Sequence, residues 1–298
     1  MNFNFLSLNT NKTETKTHTI TEDFHSISIY ETTADVTFLP SEDDTVKVVC
    51  HDQKRQTHAV SVQNGVLSIK LINTRRWYDY ISLFNFSEKK TTVYLPKDVY
   101  KNITIKTNTG DIKVPEGYAF ENVSLNVNTG NIGWSASVSD TLRIETDTGN
   151  VTLSNTTLGS LKLETDTGNV KMQNIKATGL FDIETDTGDQ TFINVLSAGL
   201  KTEADTGDIK LTDTVISGNL DIETSTGDVK FTRADAANLY IETSTGDVKG
   251  SLRTGKIFTA KSSTGKERVP QNDRNGGDCR IKCSTGDINI TVEDVTEK

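Results

Sequence analysis

Carboxylates at a fixed spacing are the first residues in this sequence that could do chemistry. Asp186, Asp189, Asp205 and Asp208 flank two successive Thr-Gly dipeptides. With threonine hydroxyls and backbone carbonyls beside them, they make the hard oxygen donor set that Ca2+ prefers. Four residues before the repeat glycines stand Glu145, Glu164, Glu184, Glu203, Glu223 and Glu242, all read as facing outward. Stacked ~4.8 Å apart, such neighbours repel by about 0.9 kcal/mol per pair at a dielectric of 80. Lys171, Lys210, Lys230 and Lys249, three residues after the glycine, relieve that column if the corner brings the two together. The nine-residue glycine-rich calcium repeat is absent. The expectation is therefore a lysine-compensated face with no cofactor, and a Ca2+ site is the alternative.

The segment RRWYDYISLFNF, Arg75 to Phe86, concentrates basic and aromatic character. As a capping hairpin it buries half of its rings. Exposed, Arg75, Arg76, Trp77, Tyr78, Tyr80 and Phe84 form an amphipathic patch suited to a glycan, a partner protein or a lipid surface. His18, His25, His51 and His58 have no nucleophile motif beside them and read as surface residues. Three cysteines exclude a complete disulfide framework. Cys279 and Cys283 sit about 13 Å apart on one strand face, too far to bridge, and read as core thiols, with Cys50 free.

The elements that position these groups follow from a repeat. Thr-Gly recurs with its glycines at 110, 130, 149, 168, 188, 207, 227, 246, 265 and 286, at spacings of 19 to 21 residues. The consensus is close to L-x-I-E-T-x-T-G-D-V-K, nearly unaltered from Asn219 to Phe231 and from Asn238 to Gly250. Leu220, Ile222 and Thr224 point one way before Gly227, and Val229 and Phe231 point the same way after it, the period of two of a half-buried strand. Gly159, Gly179, Gly199, Gly218 and Ala237 mark a second corner, and Leu158, Ile175, Val195 and Ile216 lie on a short third side.

Such a unit closes once per repeat and stacks on the next copy, because a lone rung buries too little apolar surface to offset its ordering entropy. The fold class predicted is all-β: a right-handed parallel β-helix, or β-solenoid, with rungs of about 19 to 20 residues and an N-terminal β cap. Antiparallel hairpins are the competing architecture, but Thr-Gly is a poor hairpin turn. The threonine before each glycine reads as a corner-stabilising hydroxyl, since flanking Asp, Glu and Lys spoil any flat ice-binding array.

Composition agrees. Roughly 45 of 298 residues, about 15%, are threonine, and only 34% are hydrophobic, which fits a narrow β core. A net charge of -9 without a basic cluster excludes nucleic acid as a partner. No stretch is long and apolar enough to span a membrane, and the first residues lack a secretion signal. As given, the chain then reads as cytoplasmic.

Boundaries follow the repeat. Residues 1–19 read as a disordered or extended segment, 20–100 as the cap, 101–292 as the solenoid of ten Thr-Gly rungs and 293–298 as a charged tail. The cap holds an atypical rung, Phe24 to Pro40, with Ala34 at the glycine position, and a hairpin with Asn64-Gly65 at its tip. A second strand pair is expected to end in TTVYLPKDV. Near the far end, Lys266 to Asp278 reads as a loop before the final rung, and Glu267 replaces the usual inward Val or Ile.

The ADVTFLP opening, the basic-aromatic segment, the VYLPK motif and the repeated E-T-x-T-G-D-V resemble the bacterial "putative adhesin" family with β-strand repeats, over about residues 20 to 292. That resemblance implies a β-helical domain, often displayed from a membrane anchor on the bacterial envelope, with adhesion inferred and no catalytic residues. The function expected is a non-enzymatic, adhesin-like binding or spacer module whose partner is a glycan or protein on a cell surface. A regulatory protein-interaction module of the envelope stress response is the alternative. A carbohydrate-active β-helix enzyme is a third, but it needs a loop-walled groove with converging carboxylates, which short regular corners cannot build.

Overall fold

The computed structural model describes residues 13–53, 55–74 and 89–293. Among these the secondary structure is entirely strands and turns, and the strands stack as a parallel β-solenoid. Side one of each rung precedes the glycine corner and side two follows it. Leu142, Leu161, Phe181, Leu200, Leu220 and Leu239 lie in register on side one, one rung apart. Val151, Val170, Gln190, Ile209 and Val229 do so on side two. The alternation expected around Gly227 is present: Leu220, Ile222, Thr224, Val229 and Phe231 are all buried.

Glycine is required at the first corner because successive rungs touch there through backbone. A Cβ on Gly207 would stand 2.1 Å from the carbonyl oxygen of Gly188, and one on Gly188 2.0 Å from that of Gly168, distances no side chain tolerates. Ala34, the outlier, does not have a positive φ. The third side exists, with Ile175 and Val195 in register. Its entrance carries a signal other than the small residues. Six residues after the glycine stand Asn155, Asn174, Asn194 and Asp213, all in the left-handed region with φ between 49° and 56°, a conformation Asn and Asp tolerate best after glycine. Asn174 Nδ2 donates to Asn155 Oδ1 and Asn194 Nδ2 to Asn174 Oδ1, each at 2.9 Å.

The core is one rung wide. It is aliphatic through most of its length and aromatic toward the N-terminal third, where Phe24, Tyr100, Phe120 and Trp134 follow one another at ring separations of 6.0, 5.8 and 5.5 Å. One buried polar group replaces an aliphatic side chain in the side-two column. Gln190 is fully buried where neighbouring rungs carry Ile or Val, and its amide donates to Thr185 Oγ1 at 3.0 Å and to the Glu203 carbonyl at 2.7 Å, while Thr202 donates to its oxygen. Fully satisfied, such a group fixes register without leaving an orphaned dipole.

Stacking order departs from chain order at both ends. Leu239 is in register with Cys279, so the last rung of the chain lies directly on the rung ending at Thr245. The earlier strand Ile257–Ser262 lies outside it, with Phe258 opposite Cys279. The reason is hydrophobicity: Cys279, Ile281, Cys283, Ile288 and Ile290 are buried, whereas Glu267 takes the inward side-two position of the displaced rung and remains exposed. All three cysteines are free and buried. At the other end the rung Phe24 to Pro40 lies inside the later strands: Ser26–Tyr30 pairs with Val99–Thr109 and with Val66–Asn73, and Asp35–Pro40 pairs with Lys90–Leu95. TTVYL therefore belongs to a solenoid layer and is not half of a hairpin. The Asn64-Gly65 hairpin is present, joining Gln56–Gln63 to Val66–Asn73. Outside the layers, Val46–Asp52 runs antiparallel to Lys90–Leu95, and Glu14–Ile20 antiparallel to Val46–Asp52.

Candidate functional site

The outward chemistry is arranged by the corner. The residue after each repeat glycine is Asp or Asn at all corners but Gly265. Its side-chain oxygen accepts the backbone N–H of its counterpart in the next rung: Asn131 from Asn150 at 3.0 Å, Asn169 from Asp189 at 2.8 Å, Asp189 from Asp208 at 2.9 Å and Asp208 from Asp228 at 3.0 Å. This ladder satisfies a row of donors that the turn would leave without partners. The threonines before the glycines have a different position from the one expected. They are exposed, and only Thr264 uses its hydroxyl at a corner, reaching the Ser284 carbonyl at 3.4 Å.

Of the lysine column, Lys210, Lys230 and Lys249 pair with this Asp column and not with the Glu column, correcting the sequence expectation, and Lys171 makes no ion pair among the described residues. Lys210 lies 3.2 Å from Asp189 and 3.1 Å from Asp208, Lys230 3.5 Å from Asp208 and 3.2 Å from Asp228, and Lys249 3.3 Å from both Asp228 and Asp247. The cause is geometric: Lys and Asp are two residues apart on the same side of side two, whereas the glutamates lie around the corner on side one. Burial works against the charge of Asp208, but the Asp228 backbone N–H and Lys210 outweigh it and hold its carboxyl below the usual range. At Asp228 the Asp247 backbone N–H is the main cause of the same lowering.

The glutamates do form a column, in register from Glu145 to Glu242. At its ends Arg143 pairs with Glu145, Lys162 with Glu164 at 2.8 Å and Lys282 with Glu242 at 3.4 Å. Between them Glu184, Glu203 and Glu223 make no ion pair among the described residues. Of the four aspartates proposed as a Ca2+ set, Asp189 and Asp208 face the lysine column, while Asp186 and Asp205 project on the other side of the corner. No group of three or more His, Cys, Asp or Glu side chains is gathered in a metal-binding arrangement among the described residues. The aromatic candidates Arg75, Arg76, Trp77, Tyr78, Tyr80 and Phe84 lie outside the described residues.

The histidines yielded the largest surprise. His58 is not a surface residue: its side chain is 3% exposed, with Nδ1 2.6 Å from Asp52 Oδ1 and Nε2 3.0 Å from Glu31 Oε1. The carboxyls of Asp52 and Glu31 are 3% and 0% exposed. Thr91 Oγ1 donates to Glu31 Oε1 at 2.5 Å, and Lys16 Nζ lies 2.9 Å from Asp52 Oδ2. Burial opposes the imidazolium, but its hydrogen bonds with Cys50, Glu31 and Asp52 overcome it and hold the His58 pKa up at about 11. A signal for this cluster was present. Three residues before Ala34, Glu31 occupies the inward position filled by Thr107, Thr146 and Thr165 in later rungs, so the period alone demands a buried glutamate and hence a partner.

Residues 24–291 match the model of the family described as Toastrack DUF4097, and the chain belongs to that family. No curated protein matches it. Among solved structures it is similar to one from Bacteroides fragilis described as a "putative adhesin", with 14% identity over 94% of this chain and 97% of that one and a TM-score of 0.45. Another described in the same words, from Parabacteroides distasonis, shares 13% identity over 95% and 98% at a TM-score of 0.47. A third from that organism, described as a "putative lipid binding protein", shares 16% over 95% and 98% at 0.35.

Proposed function

We propose that this Toastrack chain is a non-enzymatic, adhesin-like binding or spacer module of the cell envelope, engaging a glycan or protein on a cell surface. The evenness of the shaft supports the reading. Between Val99 and Leu252 the longest connection between consecutive strands is 115–118, so no loop rises to wall a cleft in which catalytic groups could converge. The same outward groups recur rung by rung instead, which suits contact with an extended or repetitive partner along one side. No helix among the described residues is long and apolar enough to cross a membrane. Exposed rings in the Arg75 to Phe86 segment would add an anchor for such a partner.

The test is binding of the labelled full-length chain to bacterial cells and to isolated envelope glycans. Cell binding is expected, and the double change Trp77→Ala, Tyr78→Ala is expected to abolish it while the far-ultraviolet circular dichroism stays unchanged. Unchanged binding by the double variant removes the aromatic segment as the anchor. Absence of cell and glycan binding, with capture of one defined membrane protein in a pull-down, replaces the adhesin reading with a regulatory one.

A further inference from the structure

The buried cluster at the N-terminal end takes a cation from the strand Glu14–Ile20, outside the layers. Asp52 and Glu31 bring two buried carboxylates. His58 lies between them, and because both ring nitrogens face carboxylate oxygens at 2.6 and 3.0 Å, both carry protons. The ring faces a carboxyl group on each side, and the Thr91 hydroxyl donates to that of Glu31. A buried carboxylate without a counter-charge is far more costly than a paired one. Lys16 supplies one to Asp52, with its Nζ 2.9 Å from Oδ2.

Lys16 comes from an unusual strand. Among the described residues, Glu14–Ile20 pairs only with Val46–Asp52, antiparallel from Glu14 opposite Asp52 to Ile20 opposite Val46. None of its residues is fully buried. It also precedes residue 24, where the family match begins, and it covers the edge of Val46–Asp52 beside the buried Asp52 carboxyl. An open strand edge pairs with any extended segment through its backbone, and side-chain pockets beneath it select which one.

We propose that the outer edge of Val46–Asp52 is an acceptor site for an extended strand that places a lysine or arginine over Asp52. Residues 14–20 fill it in cis, and a partner strand of the same chemistry fills it by exchange. Charge complementarity carries the specificity, and backbone pairing carries the remainder of the contact.

Hydrogen exchange on the full-length chain tests this, together with a fluorescent peptide spanning residues 13–21. In Lys16→Ala, amides of residues 14–20 are expected to lose at least tenfold protection while those of Lys90–Leu95 keep theirs, and Lys16→Arg is expected to behave as wild type. The Lys16→Ala chain is expected to capture the wild-type peptide at least tenfold more tightly than a peptide with the same Lys16→Ala change. Wild-type protection of residues 14–20 in Lys16→Ala, or equal capture of both peptides, overturns the proposal. Should that chain fail to fold, the wild-type protein decides: exchange at residues 14–20 at least tenfold faster than at Lys90–Leu95 supports an exchangeable strand, and equal protection contradicts it.

Discussion

At the N-terminal end the stack is closed by backbone, and at the C-terminal end by side chains. Gln56–Gln63 extends side one of the first layer, while Val46–Asp52 and then Glu14–Ile20 extend side two. All three are antiparallel to the strand they cover, which ends the parallel register. At the other end Ile257–Ser262 is the outermost strand of side one, and two of its outward amides are met by single side chains: Phe258 N–H by Asn272 Oδ1 at 2.8 Å and Ser262 N–H by Glu267 Oε1 at 2.6 Å. Both devices interrupt the parallel register on which a further rung would stack.

Each end also buries charge, and the shaft between them does not. Lys256 Nζ lies 2.7 Å from Asp235 Oδ1 and donates to the Ala236 carbonyl at 2.7 Å and to Thr254 Oγ1 at 2.9 Å, with both charged side chains under 10% exposed. Glu31, His58 and Asp52 are the N-terminal counterpart. The ion pairs of the shaft are solvent-exposed ladders. A repeating rung accepts another rung on either face, so repetition cannot say where the stack ends. Singular residues with no equivalent in the repeat do so.

Removing one member of a buried charge pair gives the largest expected effect. Lys256→Met strands Asp235, and His58→Leu strands Asp52 and Glu31. Each is expected to cost about 3–5 kcal/mol in denaturant unfolding. Next is a corner of the shaft: Gly207→Ala sets a Cβ 2.1 Å from the Gly188 carbonyl oxygen and is expected to cost about 2–4 kcal/mol. Asp208→Ala, which removes the acceptor for the Asp228 N–H, is expected to cost about 1 kcal/mol. Thermal melts order these variants.

The N-terminal cluster also makes stability depend on pH. The His58 pKa is raised from 6.5 to about 11, so its contribution is complete below pH 6.5 and is lost as pH rises toward 11. Asp52 is lowered from 3.8 despite its burial, chiefly by His58 and Lys16, so its contribution is present above about pH 4 and is lost on acidification. Melts between pH 6 and 11 are expected to show an alkaline loss in wild type that His58→Leu removes. The smallest expected effect is that of calcium: addition to the folded chain is expected to leave the melting temperature unchanged, and a rise of several degrees would restore Asp186, Asp189, Asp205 and Asp208 as ligands.

The shaft was legible in the sequence because its determinants are local and repeated. Glycine spacing gave the rung, the period of two gave the inward face, and the Glu column followed from register. What escaped were relations between columns and between distant segments. Asp and Lys at one and three residues after the glycine share a side, a fact about side-chain direction that spacing contains but that the corner obscures. The displaced rung at the C-terminal end was marked by Glu267, whose charge at an inward position argues for an exposed layer. His58 could not be placed from its own strand, because Asp52 reaches it from the end of Val46–Asp52 and Glu31 from the turn after Ser26–Tyr30.

The independence of ends and shaft is the central claim, and layer-resolved hydrogen exchange on His58→Leu and Lys256→Met tests it most directly. Contacts in a solenoid run mainly between adjacent layers. The account predicts that His58→Leu loses protection in the layers before residue 110, that Lys256→Met loses it after residue 229, and that strands from Ala119 to Thr226 keep wild-type protection in both. A loss spread evenly through the shaft in either variant would contradict it.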